Sequence, residues 1–416
     1  MLRTYKTIVT IIILAIISPT MSAQNNTNSP YTRYGYGALA DRSFGAGRAM
    51  SSIGYGLRSN KQINPMNPAS YSSMDSLTFI LDFGISGQMS WFSDDGGNKE
   101  MHKNGNLEYV ALQFPVHRKV ALSFGLLPYS YVGYLFGFHR DGANPYSQSF
   151  EGKGGLNNVY GGISFDIWRK RFSFGANVGY LFGTILHTQI LQFDSEVTGA
   201  NSSIRTQSLR IKDMKLDLGL QYTHPVSLKE HYTLGLIFSP GKRLNATSEN
   251  INRTGTMLRD TTIISDQAFD LSSSIGIGLS YVYQNKLVLA SDFLYEPWNK
   301  SKFFDASNHF RNRIRMAIGG EYITNYASKV FFSRVRYRAG IHYGTSYLQI
   351  NDNGYNELGA SVGLGLPLID NRSFVNVAFE YVKIKPETRS LIDEQYFRIT
   401  INYTFNEAWF YKFKVD

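Results

Sequence analysis

The feature that most constrains what this chain can fold into is a two-residue hydrophobic period that sets in at Leu77 and persists almost to the C-terminus. Between Ser373 and Tyr381, residues Val375, Val377, Phe379 and Tyr381 alternate with Asn376, Ala378 and Glu380. Further on, Phe397, Ile399, Ile401, Tyr403 and Phe405 alternate with Arg398, Thr400, Asn402 and Thr404. Successive side chains of a strand point to opposite faces, so this period specifies strands with one apolar face and one polar or small one. The pattern recurs near 77–92, 106–116, 119–136, 156–167, 171–193, 206–224, 230–247, 267–284, 286–296, 309–323, 334–349, 354–366, 371–384 and 395–405. About fourteen strands are predicted. Turn-forming stretches such as Asp94-Asp95-Gly96-Gly97-Asn98 and Asn351-Asp352-Asn353-Gly354 separate them.

The composition of the two faces separates a soluble sandwich from a membrane barrel. Opposite Leu122, Phe124 and Leu126 stand Ala121, Ser123 and Gly125; opposite Ile275, Ile277 and Leu279 stand Ser274, Gly276, Gly278 and Ser280. A soluble surface would place Lys and Glu there. Small residues instead suit the crowded inner face of a barrel whose apolar face meets lipid. Aromatics near segment ends (Trp91, Phe92, Tyr129, Tyr131, Tyr134, Phe293, Tyr295, Trp298, Tyr403 and Phe405) are expected to form interfacial girdles. The totals of 28 Tyr, 28 Phe and 38 Gly with 18% charged residues exclude a disordered chain. The absence of cysteine excludes disulfide scaffolds and thiolate chemistry.

Arg3 and Lys6, the apolar run Ile8–Ile17 and the small residues Ser22-Ala23 predict an export signal over residues 1–23, cleaved after Ala23. That run is about half the length of a membrane-spanning helix, and no other stretch is long enough, so the route into a membrane is a closed barrel. Residues 24–75 are rich in Gly, Ser and Asn without strand periodicity, and are expected to form a plug in the lumen. Within them Ala49, Met50, Ile53 and Leu57 are spaced for one short buried helix face. The barrel is expected over 76–405, with an aromatic and basic tail over 406–416. The fold class is thus all-β: a transmembrane antiparallel barrel of the bacterial outer membrane with an N-terminal plug.

Two further features bear on function. Arg311, Arg313 and Arg315 share one strand face and Arg334, Arg336 and Arg338 another, with Asp217, Asp292, Glu321 and Glu380 expected on inward faces to balance them. This set reads either as a lumen network that holds the plug or as a wall for carboxylates or phosphates, which arginine forks suit. The net charge of +10 also favours contact with lipopolysaccharide phosphates, and the basic residues are not interleaved as a nucleic-acid surface. Enzyme signals are weak. Gly359-Ala360-Ser361-Val362-Gly363 lies within an alternating strand rather than a strand-turn-helix elbow, and no two of the eight histidines stand at metal-ligand spacing. No catalytic residue, metal site or cofactor is expected.

The stretch from Gly45 to Ser59, with Gly45, Gly47 and Arg48, followed by Asn67-Pro68-Ala69 leading straight into the first long strand, resembles the FadL-type outer-membrane transporters of long-chain fatty acids and aromatic hydrocarbons. The resemblance implies a hatch inside the barrel and passive import of a hydrophobic small molecule without an energy-coupling protein. FadL-like barrels also act as non-transporting scaffolds or shuttles in assembly and secretion machines. The resemblance therefore leaves open a second role, in which the partner is another outer-membrane protein or lipoprotein.

Overall fold

The computed structural model describes residues 27–408, apart from 143, 169–170, 195–200, 256–257, 265–266, 307, 369–371 and 389. The export signal and residues 409–416 of the tail lie outside the described residues. Fourteen strands form the barrel: β1 (Thr78–Ser93), β2 (Lys99–His117), β3 (Val120–Arg140), β4 (Tyr146–Trp168), β5 (Phe172–Phe193), β6 (Ser203–Ser227), β7 (Glu230–Ser239), β8 (Ser274–Tyr283), β9 (Leu287–Glu296), β10 (Arg313–Ile323), β11 (Arg336–Thr345), β12 (Tyr355–Pro367), β13 (Phe374–Pro386) and β14 (Asp393–Ala408). Each pairs antiparallel with its neighbour in sequence, and β14 closes on β1 from Asp393↔Ser93 to Ala408↔Thr78. Closure of the last strand on the first lets the wall satisfy most of its backbone internally, the condition for crossing a membrane with strands. No described helix is long and apolar enough to cross a membrane. One end carries mostly short turns and the other long loops, the polarity of barrels whose long loops face the cell exterior.

The expected alternation is realised along β8, where Ser274, Gly276, Gly278 and Ser280 face inward while Ile275, Ile277 and Leu279 are exposed. Strand lengths are unequal. Strands β3 to β6 run 21 to 25 residues, whereas β7, β8 and β9 have 10 each. Above the short strands a hairpin, Ala246–Thr254 with Leu258–Ile264, adds to the upper half of β6. The sequence period merged part of this hairpin into the seventh strand, which ends at Ser239 and not at 247. The last strand likewise runs on to Ala408 instead of ending at Phe405.

Two further expectations need correction. Phe92, Tyr129, Tyr134 and Trp298 turn inward and are buried, while Trp91 and Phe293 remain on the outer face. Aromatic side chains near strand ends here fill the lumen as often as they anchor the interface. Ala49, Met50, Ile53 and Leu57 are all buried, but not on one helix face. The helix covers only Gly45–Arg48, because Ser51 and Ser52 adopt φ of 58° and 60° and turn the chain out of it.

Candidate functional site: the filled lumen

Residues 27–75 descend through the barrel from the long-loop end to the short-turn end. Near the top, a plug strand of two residues, Ala38–Leu39, pairs with Tyr131 and Ser130 of β3. Lower down, the plug backbone lies directly on small residues of the wall. A Cβ added at Gly340 would come within 2.5 Å of the Met50 carbonyl carbon, and one at Gly278 within 2.6 Å of the Gly56 nitrogen. The small inward residues Gly276, Gly278 and Ser280 of β8 are thus part of the bed on which the plug rests, whereas Gly125 of β3 makes room for Tyr160 of the wall. Asn67, Pro68 and Ala69 form the lower anchor. The Asn67 side chain accepts from the Ala69 N–H at 3.1 Å, capping the short helix Pro68–Ser73 with Pro68 in its first turn. Its amide also donates to the carbonyls of Tyr55 (2.8 Å) and Leu220 (3.1 Å), and Ser164 Oγ donates to the Ala69 carbonyl at 2.9 Å.

Charged groups hold the middle. Arg48, buried on the Gly45–Arg48 helix, pairs with Glu108 of β2, with Asp41 at 3.0 Å and with Glu380 of β13 at 4.0 Å. Glu380 also pairs with Arg398 of β14 at 3.2 Å. Gly45 donates its N–H to the Tyr109 hydroxyl at 3.0 Å, and Gly47 lies so close to Ser43 that a Cβ would meet its Oγ. Asp292 accepts the N–H groups of Gly54 (2.7 Å) and Tyr55 (2.9 Å). Ser361, the serine of the G-x-S-x-G stretch, accepts from the Ser51 N–H at 2.7 Å and donates to the Ala49 carbonyl at 3.0 Å, so its hydroxyl is an anchor of the plug.

The arginines divide between these roles. Arg313 pairs with Glu296 at 3.1 Å, Arg336 and Arg338 both with Glu321 at 2.6 and 2.7 Å, and Arg315 donates to the Ser51 carbonyl at 3.1 Å and lies 3.7 Å from Asp41. Antiparallel register sets Arg315 opposite Gly344 and Arg338 opposite Glu321, so the two pairs stand at different heights and form no continuous wall. Arg311 and Arg334 lie outside the strands. Arg311 precedes β10 and pairs with Glu387 in the long-loop rim at 2.6 Å; Arg334 ends the short helix Phe331–Arg334 at the opposite mouth. Asp217 is matched by Lys215 and by Arg42 at 3.6 Å rather than by the ladder, and Asp292 serves backbone groups.

Glu296↔Arg313, Glu321↔Arg338 and Glu380↔Arg398 are each direct cross-strand partners. Arg398 and Glu296 follow from register once consecutive strands are known to pair. Glu108 does not, because a bulge between Gly84 and Ile85 leaves Glu108 without a partner on β1 and reverses its face relative to Tyr109, Ala111 and Gln113. His342 has an acidic partner in Glu357 at 2.8 Å, and no hydroxyl nucleophile joins them among the described residues.

The top is closed by aromatic packing. Tyr36, fully buried, is surrounded by Trp298, Phe303 and Phe310, with ring centroids 5.2 to 6.0 Å away, and its hydroxyl donates to the Asp270 carbonyl at 3.0 Å. Beneath it a lumen cavity of about 130 Å³ is lined by Asp41, Arg48, Arg313, Glu357, Glu380 and Arg398 among others. A larger space of about 860 Å³ opens at the short-turn mouth. The wall itself is interrupted once on the β2 side of the plug. β2 and β3 pair only from Val110↔Leu126 to His117↔Val120, and above that level the plug strand takes the β3 edge instead. Among the described residues, no group of His, Asp or Glu could hold a metal ion.

The BamG family model matches residues 1–416. No curated protein matches the chain in sequence. Among solved structures, the fold is similar to the CymD monoaromatic hydrocarbon channel (TM-score 0.59, 12% identity, 90% of this chain and 100% of that one). It is similar to a Pseudomonas aeruginosa FadL homologue (0.59, 13%, 88% and 99%) and to the Ralstonia pickettii toluene transporter TbuX (0.57, 14%, 88% and 98%). The chain has the barrel architecture of hydrophobic-compound channels, as its sequence resemblance implied.

Proposed function

The chain belongs to the BamG family, and we propose that it serves as a barrel subunit of an outer-membrane protein assembly complex, with its lumen plugged and its loops and outer face presented to partner proteins. It reaches the outer membrane after removal of residues 1–23. The observation that carries this reading is the filling of the lumen. Sites for apolar ligands are lined mainly by apolar side chains, whereas the lumen cavity here mixes apolar and aromatic residues such as Leu39, Tyr131, Leu348 and Val382 with three arginines and three carboxylates. An apolar molecule entering it would strip water from charges it cannot replace. Every level of the plug is bonded to the wall, which suits a rigid scaffold. Affinity purification of the full chain from native membranes tests the reading: stoichiometric outer-membrane or lipoprotein partners are expected, and a barrel recovered alone would overturn it.

A second reading, passage of a hydrophobic small molecule, is favoured by the interruption between β2 and β3, which offers a lateral route at the height of the lumen cavity. Its mark would be uptake of a labelled alkylbenzene or fatty acid by cells carrying the chain, lost when the barrel is deleted.

A further inference from the structure

The three shortest consecutive strands leave a notch in the long-loop rim, and the residues around it change character at one level. Phe238 of β7, Ile275 of β8 and Tyr295 of β9 stand side by side in register, with Phe238 and Ile275 exposed at 43% and 52%. They are the top row of the outward apolar belt. Just beyond them the chain turns basic. Lys242–Arg243 follows β7 and pairs with Asp270–Leu271, which precedes β8. Lys300 and Lys302 follow β9, and Lys242, Arg243 and Lys300 line a groove of about 300 Å³ with Ser272, Ser273 and Ser301.

The flank repeats the sequence of levels. On β6 the exposed Met214 and Leu216 are succeeded upward by the exposed Lys212 and Arg210. The Lys212 N–H donates to the Asn245 carbonyl at 3.1 Å, which ties that strand to the segment carrying Lys242 and Arg243. Three acids stand among the described residues here, and all are engaged; Asp305 accepts the Ala268 N–H at 2.7 Å. Asp213 accepts from Lys242 at 2.5 Å and from the Asn245 N–H at 2.8 Å; Asp270 accepts from the Lys302 N–H at 2.9 Å. Six bases against three acids leave the notch positive.

We propose that this notch binds the phosphate of a phosphorylated glycolipid of the outer leaflet, whose acyl chains descend from the Phe238, Ile275 and Tyr295 row over the apolar belt. The height argues for a lipid: the bases begin where the apolar belt ends, at the level of headgroup phosphates on the exterior side. A phosphate there meets several donors at once, and guanidinium and ammonium groups are its usual partners. The notch lies where β7, β8 and β9 stop short, between their upper ends and the hairpin carried on β6, so a headgroup can approach it from the membrane plane.

The test titrates the full-length barrel in detergent with lipid A carrying both phosphates and with the same lipid dephosphorylated, read by native mass spectrometry. The wild type is expected to prefer the phosphorylated lipid by about tenfold or more. The variant carrying Lys212→Gln, Lys242→Gln and Lys300→Gln should lose that preference, and the same three positions as Arg should keep it. If the Gln variant fails the heat-modifiability check for a folded barrel, Lys300→Gln alone is scored and should reduce the preference severalfold. Undiminished preference in the folded Gln variants would overturn the proposal. So would displacement of the lipid by millimolar inorganic phosphate, which would mark a free-anion site.

Discussion

Arg48 enters the lumen on four residues of helix and meets Glu108, Asp41 and Glu380 with almost no exposed surface of its own. Removing one partner of a buried ion pair costs about 3–5 kcal/mol, because the remaining charge stays buried. Arg48→Ala is therefore expected to lower the heat-modifiability midpoint strongly, and the pair Arg48→Met with Glu108→Gln to recover much of it; equal losses in both would deny the pairing any part in stability. At the rim, Glu387 accepts the Gly354 N–H at 2.8 Å and Arg311 at 2.6 Å, and these donors hold its carboxyl below the usual carboxylate range. A depressed value stabilises the fold above the ordinary carboxylate range and ceases to do so as pH falls through the folded value. The difference in midpoint between wild type and Glu387→Gln should thus be present at neutral pH and shrink as the pH is lowered past the ordinary carboxylate range; a difference that persists undiminished in acid would place its origin elsewhere. Which charges meet was legible in part. Alternation put Glu321 and Glu380 inward with Arg336 and Arg338, and direct cross-strand register supplies the rest. Glu108 escaped because one bulged residue inverts the face that the period assigns.

The strands were the most legible elements, since a half-buried strand writes its period into nearly every residue. Their ends were less so: β7 stops at Ser239 because Pro240 and Gly241 turn the chain, although apolar and polar residues go on alternating into the hairpin that caps β6. The plug was legible as irregular, but its path was not, because Ser51 and Ser52 leave the helical region where the apolar spacing continued. What the sequence does hold is the small residue at each contact. Gly340 of β11 meets the Met50 backbone, and no flexible side-chain end can give way there. Gly340→Val is expected to leave a closed barrel while loosening the plug, seen as faster proteolytic cleavage within residues 44–60 at unchanged heat-modifiability of the wall. Equal cleavage rates would mean that the plug tolerates the added bulk.

Taken as one object, the chain is a cylinder whose interior is occupied from an aromatic lid at Tyr36 and Trp298 to the anchor at Asn67. The native chain has no cysteine, so single thiols report access cleanly. Cysteines placed at Ser52 or Ala69 should resist a membrane-impermeant thiol reagent in intact cells; rapid labelling at both positions would mean that the lumen opens wide. The position of the Gly45–Arg48 helix carries a consequence for the order of events in biogenesis. It rests where β14 returns to β1, and there Tyr109 receives the Gly45 N–H, while Asn402 and Thr404 of β14 bond to Asp82 of β1. An early-translated segment and the final barrel strand thus converge on one seam. A cylinder zipped shut with that segment outside could admit it only by reopening, so the N-terminal residues must be retained within the unfinished curl until the final strand arrives, and the ends of the chain set the timing of its own completion.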